Sequence, residues 1–190
     1  MHINSTLHEY MMNVDGLRNL VRYQNAPRVS SETVAEHSFF VAAYVLKLHN
    51  YYEFDLKKAI MIALLHDYAE SYISDVPHPI KKQFPLIEEE LNKAENNIVS
   101  NHISNDFAKW LDEFNNISSP EGCIVAFADI LSVISYAKHE IELGNSKYMK
   151  FVLNNAIDRA NNMISVCAKY KYENIDIIEI DNQIKKFINN

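Results

Sequence analysis

The sequence predicts an all-α bundle, and two observations carry that prediction. Apolar residues recur at helical rather than alternating spacing through most of the 190 residues, as amphipathic helices require. Pro27, Pro77, Pro79 and Pro120 fall between those periodic stretches and Pro85 opens one, so the prolines punctuate helices without interrupting them. A first helix is expected from Met12 to Tyr23, ending before Asn25-Ala26-Pro27, with a loop to Ser31. Thr33-Val34-Ala35-Glu36 then has the spacing of a capping box, in which hydroxyl and carboxylate satisfy each other's orphan backbone N–H groups. That helix is expected to reach Tyr51.

Asp55 caps a third helix over Leu56–Glu70, whose run AIMIALL is apolar on nearly every side and belongs at the centre of the core. Ser71–Pro79 reads as a loop, because Pro77 and Pro79 bracket His78. Pro85–Ser100 and Asp106–Phe114 read as more exposed helices. Ser119-Pro120-Glu121 starts an apolar helix to Leu143, stopped by Gly144-Asn145. Ser146–Tyr170 is a last long helix, and Asn174–Asn190 fits either a short strand or a terminal helix. A single domain over residues 1–190 is expected, with its core between 12 and 170.

Composition narrows the function. With 48% apolar and 23% charged residues the chain can bury a sizeable core and lies outside the disordered class. A net charge of -7 without a basic block leaves no electrostatic footprint for polymeric nucleic acid. The three glycines, Gly16, Gly122 and Gly144, form no phosphate-cradling loop. Cys123 and Cys167 sit far apart in apolar helical patterns, read as small core residues suited to a reduced cytoplasm. The longest apolar runs, Phe39–Leu46 and Ile60–Leu65, fall well short of the roughly 18 residues of a membrane span, and Met1–Tyr10 lacks a signal-peptide centre. A cytoplasmic protein without membrane contact is expected.

The chemistry concentrates in Leu64-Leu65-His66-Asp67-Tyr68-Ala69-Glu70, which sets an imidazole and two carboxylates at the end of an otherwise greasy helix. Buried charges of this kind are paired or coordinate a metal. His37 lies in the first turn of the second helix, flanked at helical spacing by Val34, Phe40 and Val41. Asp129 lies mid-helix with Val125, Ala126, Ser132 and Val133 on its own face. His37, His66, Asp67 and Asp129 together make a two-imidazole, two-carboxylate set suited to one divalent ion of Zn, Mn, Fe, Co or Ni. The competing reading is two buried His–Asp pairs with no metal.

The order His, then His-Asp, then Asp on separate helices resembles the HD-domain phosphohydrolases. The stretches RYQNAPRVSSETVAEHS, LLHDYAE, SDVPHPIKK and FADILS are similar, in order and spacing, to the YfbR-type bacterial 5'-deoxynucleotidases over Arg22–Tyr136. That resemblance implies an HD-domain helical bundle in which His37, His66, Asp67 and Asp129 ligate one divalent metal. Arg22 would orient the phosphate with its fork of donors. Glu70 would handle a proton, with Asp75 as a further catalytic carboxylate. Tyr23, His37, Asp67, Asp75, Val76, Pro77, His78 and Asp129 would line the nucleotide site beside Arg22. Tyr23 stands where the family usually has Trp against the sugar and His78 where Thr is usual, two departures that bear on sugar and base selectivity. The family also implies a homo-oligomer.

The implied activity is removal of the 5'-phosphate from deoxynucleoside monophosphates. Phage-type relatives that resemble the same pattern cleave triphosphate from deoxynucleoside triphosphates, notably dATP, and pocket length would separate the two. A non-catalytic nucleotide-binding HD domain fits less well because every ligand type is intact. A guanosine tetraphosphate hydrolase fits least, since that family's additional motifs are not evident.

Overall fold

A computed structural model of the chain describes residues 5–74, 76, 83–170 and 177–189. In chain order the helices are α1 (Leu7–Gly16), α2 (Val34–Leu48), α3 (Leu56–Leu65), α4 (Glu70–Ile73), α5 (Pro85–His102), α6 (Asn105–Asn115), α7 (Pro120–Glu142), α8 (Ser146–Cys167) and α9 (Ile177–Asn189), with a 3-10 turn at Ala168–Tyr170 after α8. Among the described residues no strand forms; a single antiparallel bridge pairs Val21 with Thr33. The all-α expectation holds.

The packing radiates from α7. It contacts α2, α3, α6 and α8, and Cys123, Ile124, Phe127, Ile134 and Ala137 along it are fully buried. Although α7 is long and apolar enough to cross a membrane, 72% of its most apolar 18-residue window is buried inside the protein, so its composition is that of a core helix. The expected bounds of α7 hold to within a residue, because Ser119 accepts the Gly122 N–H as N-cap and Gly144 adopts φ 104°, a left-handed conformation that suits glycine alone. Gly122 is needed for a second reason. A Cβ there would lie 2.6 Å from the Glu113 carbonyl oxygen, so α6 and α7 approach closely only without a side chain at this position. Beside it, Lys58 of α3 pairs with Glu113 of α6 and, at 3.1 Å, with Glu121 of α7. Glu121 in turn accepts the Asp55 N–H at 2.9 Å. Cys123 and Cys167 are free, buried thiols packed against each other between α7 and α8.

Four expectations are corrected: the loop expected over Ser71–Pro79 begins only after α4, whose helix holds Ser71–Ile73, and the bounds of three helices move. The first helix lies at Leu7–Gly16 rather than Met12–Tyr23, because Thr6 and Glu9 form a capping box that starts it earlier. Its end at Gly16 leaves Arg22 and Tyr23 on irregular backbone. The third helix stops at Leu65 rather than Glu70. From there Tyr68, Glu70, Ser71 and Tyr72 each donate their N–H to the carbonyl three residues back, a tightened turn that redirects the chain where His66 and Asp67 must both point inward. The second helix ends at Leu48, three residues short of the expected Tyr51. The undecided C-terminal segment is helical from Ile177, so the strand alternative falls.

One acid takes the largest share in holding the 24–32 loop. Glu140 of α7 is fully buried, and it accepts the Ser30 N–H and hydroxyl at 2.6 Å each, the Val29 N–H at 2.8 Å and the Asn145 amide at 2.8 Å. Burial alone would raise its pKa, but the hydrogen bonds from Ser30, Asn145 and Val29 outweigh it and hold the carboxyl at about 2. Replacing Glu140 by Ala strands these donors and should cost about 3 kcal/mol, read as a lowered urea midpoint with unchanged m. Because the folded carboxyl titrates below its ordinary 4.5, its contribution is complete above that value and disappears as pH falls toward 2. An E140A protein should therefore show a weaker acid dependence of stability than the parent between those limits.

Candidate metal centre

Three helices deliver the site. The Thr33–Glu36 capping box fixes the start of α2 and with it His37, one turn in and wholly buried. The end of α3 delivers His66, whose Nδ1 lies 3.0 Å from the Ala63 carbonyl oxygen; Nδ1–H donates to it, so Nε2 is the nitrogen turned to the site and its proton is the one a metal would displace. His37 Nδ1 meets the Ser132 hydroxyl at 3.2 Å. Asp129, one turn before Ser132 on α7, places Oδ1 3.1 Å from His37 Nε2. Ligand atoms of His37, His66 and Asp129 all lie within 4.8 Å of one another. Asp67 sits outside that trio but touches both rings, with Oδ2 3.2 Å from His66 Nε2 and 3.8 Å from His37 Nε2.

A divalent metal fits these donors. His37 Nε2 is shielded from solvent and has no well-formed hydrogen bond. The Ser132 hydroxyl can accept from Nδ1–H or donate to Nδ1, so the ring is free to take the tautomer whose Nε2 lone pair faces the Asp129 carboxylate. In that tautomer a cation between Nε2 and Oδ1 satisfies both atoms, and two imidazoles with two carboxylates are the donor types that borderline transition metals take.

Electrostatics set the charge state of these groups. Burial, reinforced by Arg22, pushes the His37 pKa down to about 4, so the ring is neutral at physiological pH. Burial would raise both acids, yet His66 outweighs it at Asp67 and the imidazoles and Arg22 outweigh it at Asp129, holding Asp67 far below and Asp129 at about 2. Burial opposes the charge on His66, but Asp67 and Asp129 lift it to about 8. The protein alone thus meets two half-buried carboxylates with protonated His66 and Arg22.

Arg22 lies on the rim. Its NH1 pairs with Glu32 at 3.1 Å, and Tyr23, Glu32, Asp67 and Asp129 outweigh burial to hold its charge. Tyr23 adopts φ 57°, an uncommon conformation for a bulky residue and a kind of strain that gathers at functional sites. Its ring stacks on Tyr136 at 5.2 Å, and the Tyr136 hydroxyl donates to the Ser30 carbonyl. Glu70 opens α4, its N–H bonded to the Asp67 carbonyl at 3.0 Å, with its Oε2 shielded from solvent. Val76 is half-buried. Asp75, Pro77 and His78 lie outside the described residues.

Sequence reasoning missed Ser132, Glu32, Tyr136 and Glu140 as parts of this region. Ser132 was visible on the Asp129 face without a role. Glu32 lies inside the stretch ending in His37, but nothing in its spacing pairs it with Arg22. Tyr136 and Glu140 lie seven and eleven residues beyond Asp129 along α7, and their partners come from a loop more than 100 positions away in sequence.

A buried His/Asp centre among packed helices defines a class of helical metalloproteins, and comparison with known proteins resolves it further. The HD domain family model matches residues 14–170. The chain belongs to the HD-domain family. It is 29% identical over 148 residues to a 5'-deoxynucleotidase of Pasteurella multocida, covering 71% of this chain and 75% of that one. It is 27% identical over 154 residues to a 5'-deoxynucleotidase of Yersinia pestis, covering 74% and 78%. Among solved structures, a protein of Pyrococcus horikoshii OT3 superposes with a TM-score of 0.75 at 26% identity over 95% of this chain and 99% of that one. The cyanophage S-2L HD phosphohydrolase DatZ, bound to dA and one catalytic Zn2+, shares the fold with a TM-score of 0.61 at 17% identity, covering 97% of each chain.

Replacing Asp129 by Ala should abolish stoichiometric metal by elemental analysis while the far-ultraviolet circular dichroism stays helical; full retention of metal would contradict the site. Because metal must displace the His66 proton, apparent affinity for Co2+ should weaken as pH falls below about 8, measurable by titration at pH 8 and pH 6.

Proposed function

We propose that the protein is a metal-dependent phosphohydrolase acting as a 5'-deoxynucleotidase, converting deoxynucleoside 5'-monophosphates to deoxynucleoside and phosphate. The observation that carries this reading is the convergence of His37, His66, Asp67 and Asp129 beside a half-buried arginine whose charge interacts with both acids. The relatives named 5'-deoxynucleotidase support it. In this reading the four residues hold one divalent ion of Zn, Mn, Fe, Co or Ni. When bound, such an ion polarises a phosphoryl oxygen and lowers the pKa of water.

The chain's own residues do the rest. Arg22, with NH1 committed to Glu32, has its remaining donors for the phosphate, opposing charge that develops on the phosphoryl oxygens. Glu70, at the first position of α4 beside Asp67, takes or returns a proton; Asp75 is the second carboxylate assigned to that work. Tyr23 packs against the sugar, its ring plane fixed by Tyr136. Val76, Pro77 and His78 complete the nucleotide site. A tyrosine ring is smaller than the indole usual there and leaves more room around the sugar, so discrimination against ribose should be weaker than in relatives with Trp.

The same reading makes the protein cytoplasmic, which the free thiols of Cys123 and Cys167 suit. It also makes it a homo-oligomer, with exposed Phe39, Phe40 and Phe151 as apolar surface for a subunit contact. Chromatography of products after incubation with Co2+, Mn2+ or Mg2+ and separately dAMP, AMP and dATP should show deoxyadenosine and phosphate from dAMP. Triphosphate from dATP with dAMP untouched would move the activity to triphosphate hydrolysis. Replacing Glu70 by Gln should lower kcat by about 100-fold or more, with metal content and nucleotide affinity nearly unchanged.

A further inference from the structure

Arg22 is held by more than its own rotamer. Leaving α1, the chain runs beside the entry to α2. The Arg22 N–H donates to the Glu32 carbonyl at 2.9 Å and the Val34 N–H to the Leu20 carbonyl at 2.9 Å, with the Val21–Thr33 bridge between them. This short ribbon fixes the Arg22 backbone against the helix that carries His37. The Glu32 side chain then takes one guanidinium nitrogen at 3.1 Å, and both side chains are largely buried, 16% and 8% exposed.

The pair is unusual in what surrounds it. The Arg22 charge also interacts with Asp67 and Asp129, the acids of the metal centre, so three carboxylates compete for one guanidinium. A flexible arginine there would fold onto the metal-binding acids and present no donor outward. We infer that Glu32 is the positioning residue of the site, holding the Arg22 fork away from Asp67 and Asp129 so that its free donors face a substrate phosphate. An arginine fork is planar with five donors in fixed directions, so anchoring one nitrogen orients the others. The inference rests on Arg22 being the phosphate-binding group of the proposed activity. Glu32 touches neither metal nor substrate in it and acts only through Arg22.

The test is a double-mutant cycle on the metal-loaded protein with R22A, E32A and the combination, read by steady-state hydrolysis of dAMP and by binding of inorganic phosphate. E32A should lower kcat/KM for dAMP between about 10- and 100-fold, the range that loss of orientation produces, and weaken phosphate binding. In the R22A background the same change should have little further effect, since its partner is gone. E32Q, which keeps an oxygen for NH1, should recover much of the loss, whereas E32D, one methylene shorter, should not. Equal effects of E32A with and without Arg22, at unchanged Tm, would overturn the inference. If E32A fails to fold, the E32Q and E32D comparison decides it by the same order of rates. Should R22A itself leave both turnover and phosphate binding intact, the assignment of Arg22 falls and this inference with it; a strong R22A effect with additive E32A sinks only the role of Glu32.

Discussion

Two carboxylates and two imidazoles meet inside a helical core, and most of this architecture exists to make that contact tolerable. Burying Asp67 and Asp129 opposes their ionisation, yet His66, His37 and Arg22 hold both acids ionised. The balance works only if helices α2, α3 and α7 keep their ends and faces in register to within a fraction of an ångström. Each device seen elsewhere in the fold serves that register. The capping box at Thr33 fixes where His37 falls, the tightened turn after Leu65 aims His66 and Asp67 together, and Gly122 lets α7 close onto α6. The Lys58–Glu121 pair ties the start of α3 to the start of α7.

The rim is built by a different logic. Arg22 and Tyr23 lie on irregular backbone whose own hydrogen bonds are few, so the loop borrows partners from the bundle. Glu140 accepts from Val29 and Ser30, Tyr136 donates to the Ser30 carbonyl, and Arg28 donates to the carbonyls of Tyr23 and Gln24. Tyr23 remains in a left-handed conformation because those contacts over-determine it. Rigid helices thus place the His/Asp cluster while a clamped loop places Arg22 and Tyr23.

How much of this was legible in the sequence depends on whether the signal was local. The bounds of α7 followed from Ser119, Pro120 and Gly144, and the start of α2 from Thr33 and Glu36, because caps are written within a few residues. The convergence of His37, His66, Asp67 and Asp129 was legible because a histidine or aspartate on an apolar helical face is a conflict that a partner resolves. The end of α3 was misread, since AIMIALL continues smoothly into His66 and nothing local announces the turn; tertiary demand for two inward-facing side chains in succession overrides the helical pattern. The first helix was misplaced because the Thr6–Glu9 box was not weighed against the apolar pattern that follows it. Glu32 and Glu140 escaped for a third reason: their partners are set by loop closure across 10 and about 110 positions, which periodicity does not encode.

If His37, His66, Asp67 and Asp129 hold one divalent metal that a substrate phosphate reaches, the ion's own spectrum reports both events. The most direct test is visible absorption spectroscopy during Co2+ titration of the metal-free protein, followed by addition of dAMP or inorganic phosphate. The d–d bands should saturate with one Co2+ per chain and shift when phosphate or nucleotide enters. Bands that never saturate stoichiometrically, or that saturate but ignore both additions, would contradict that reading of the site.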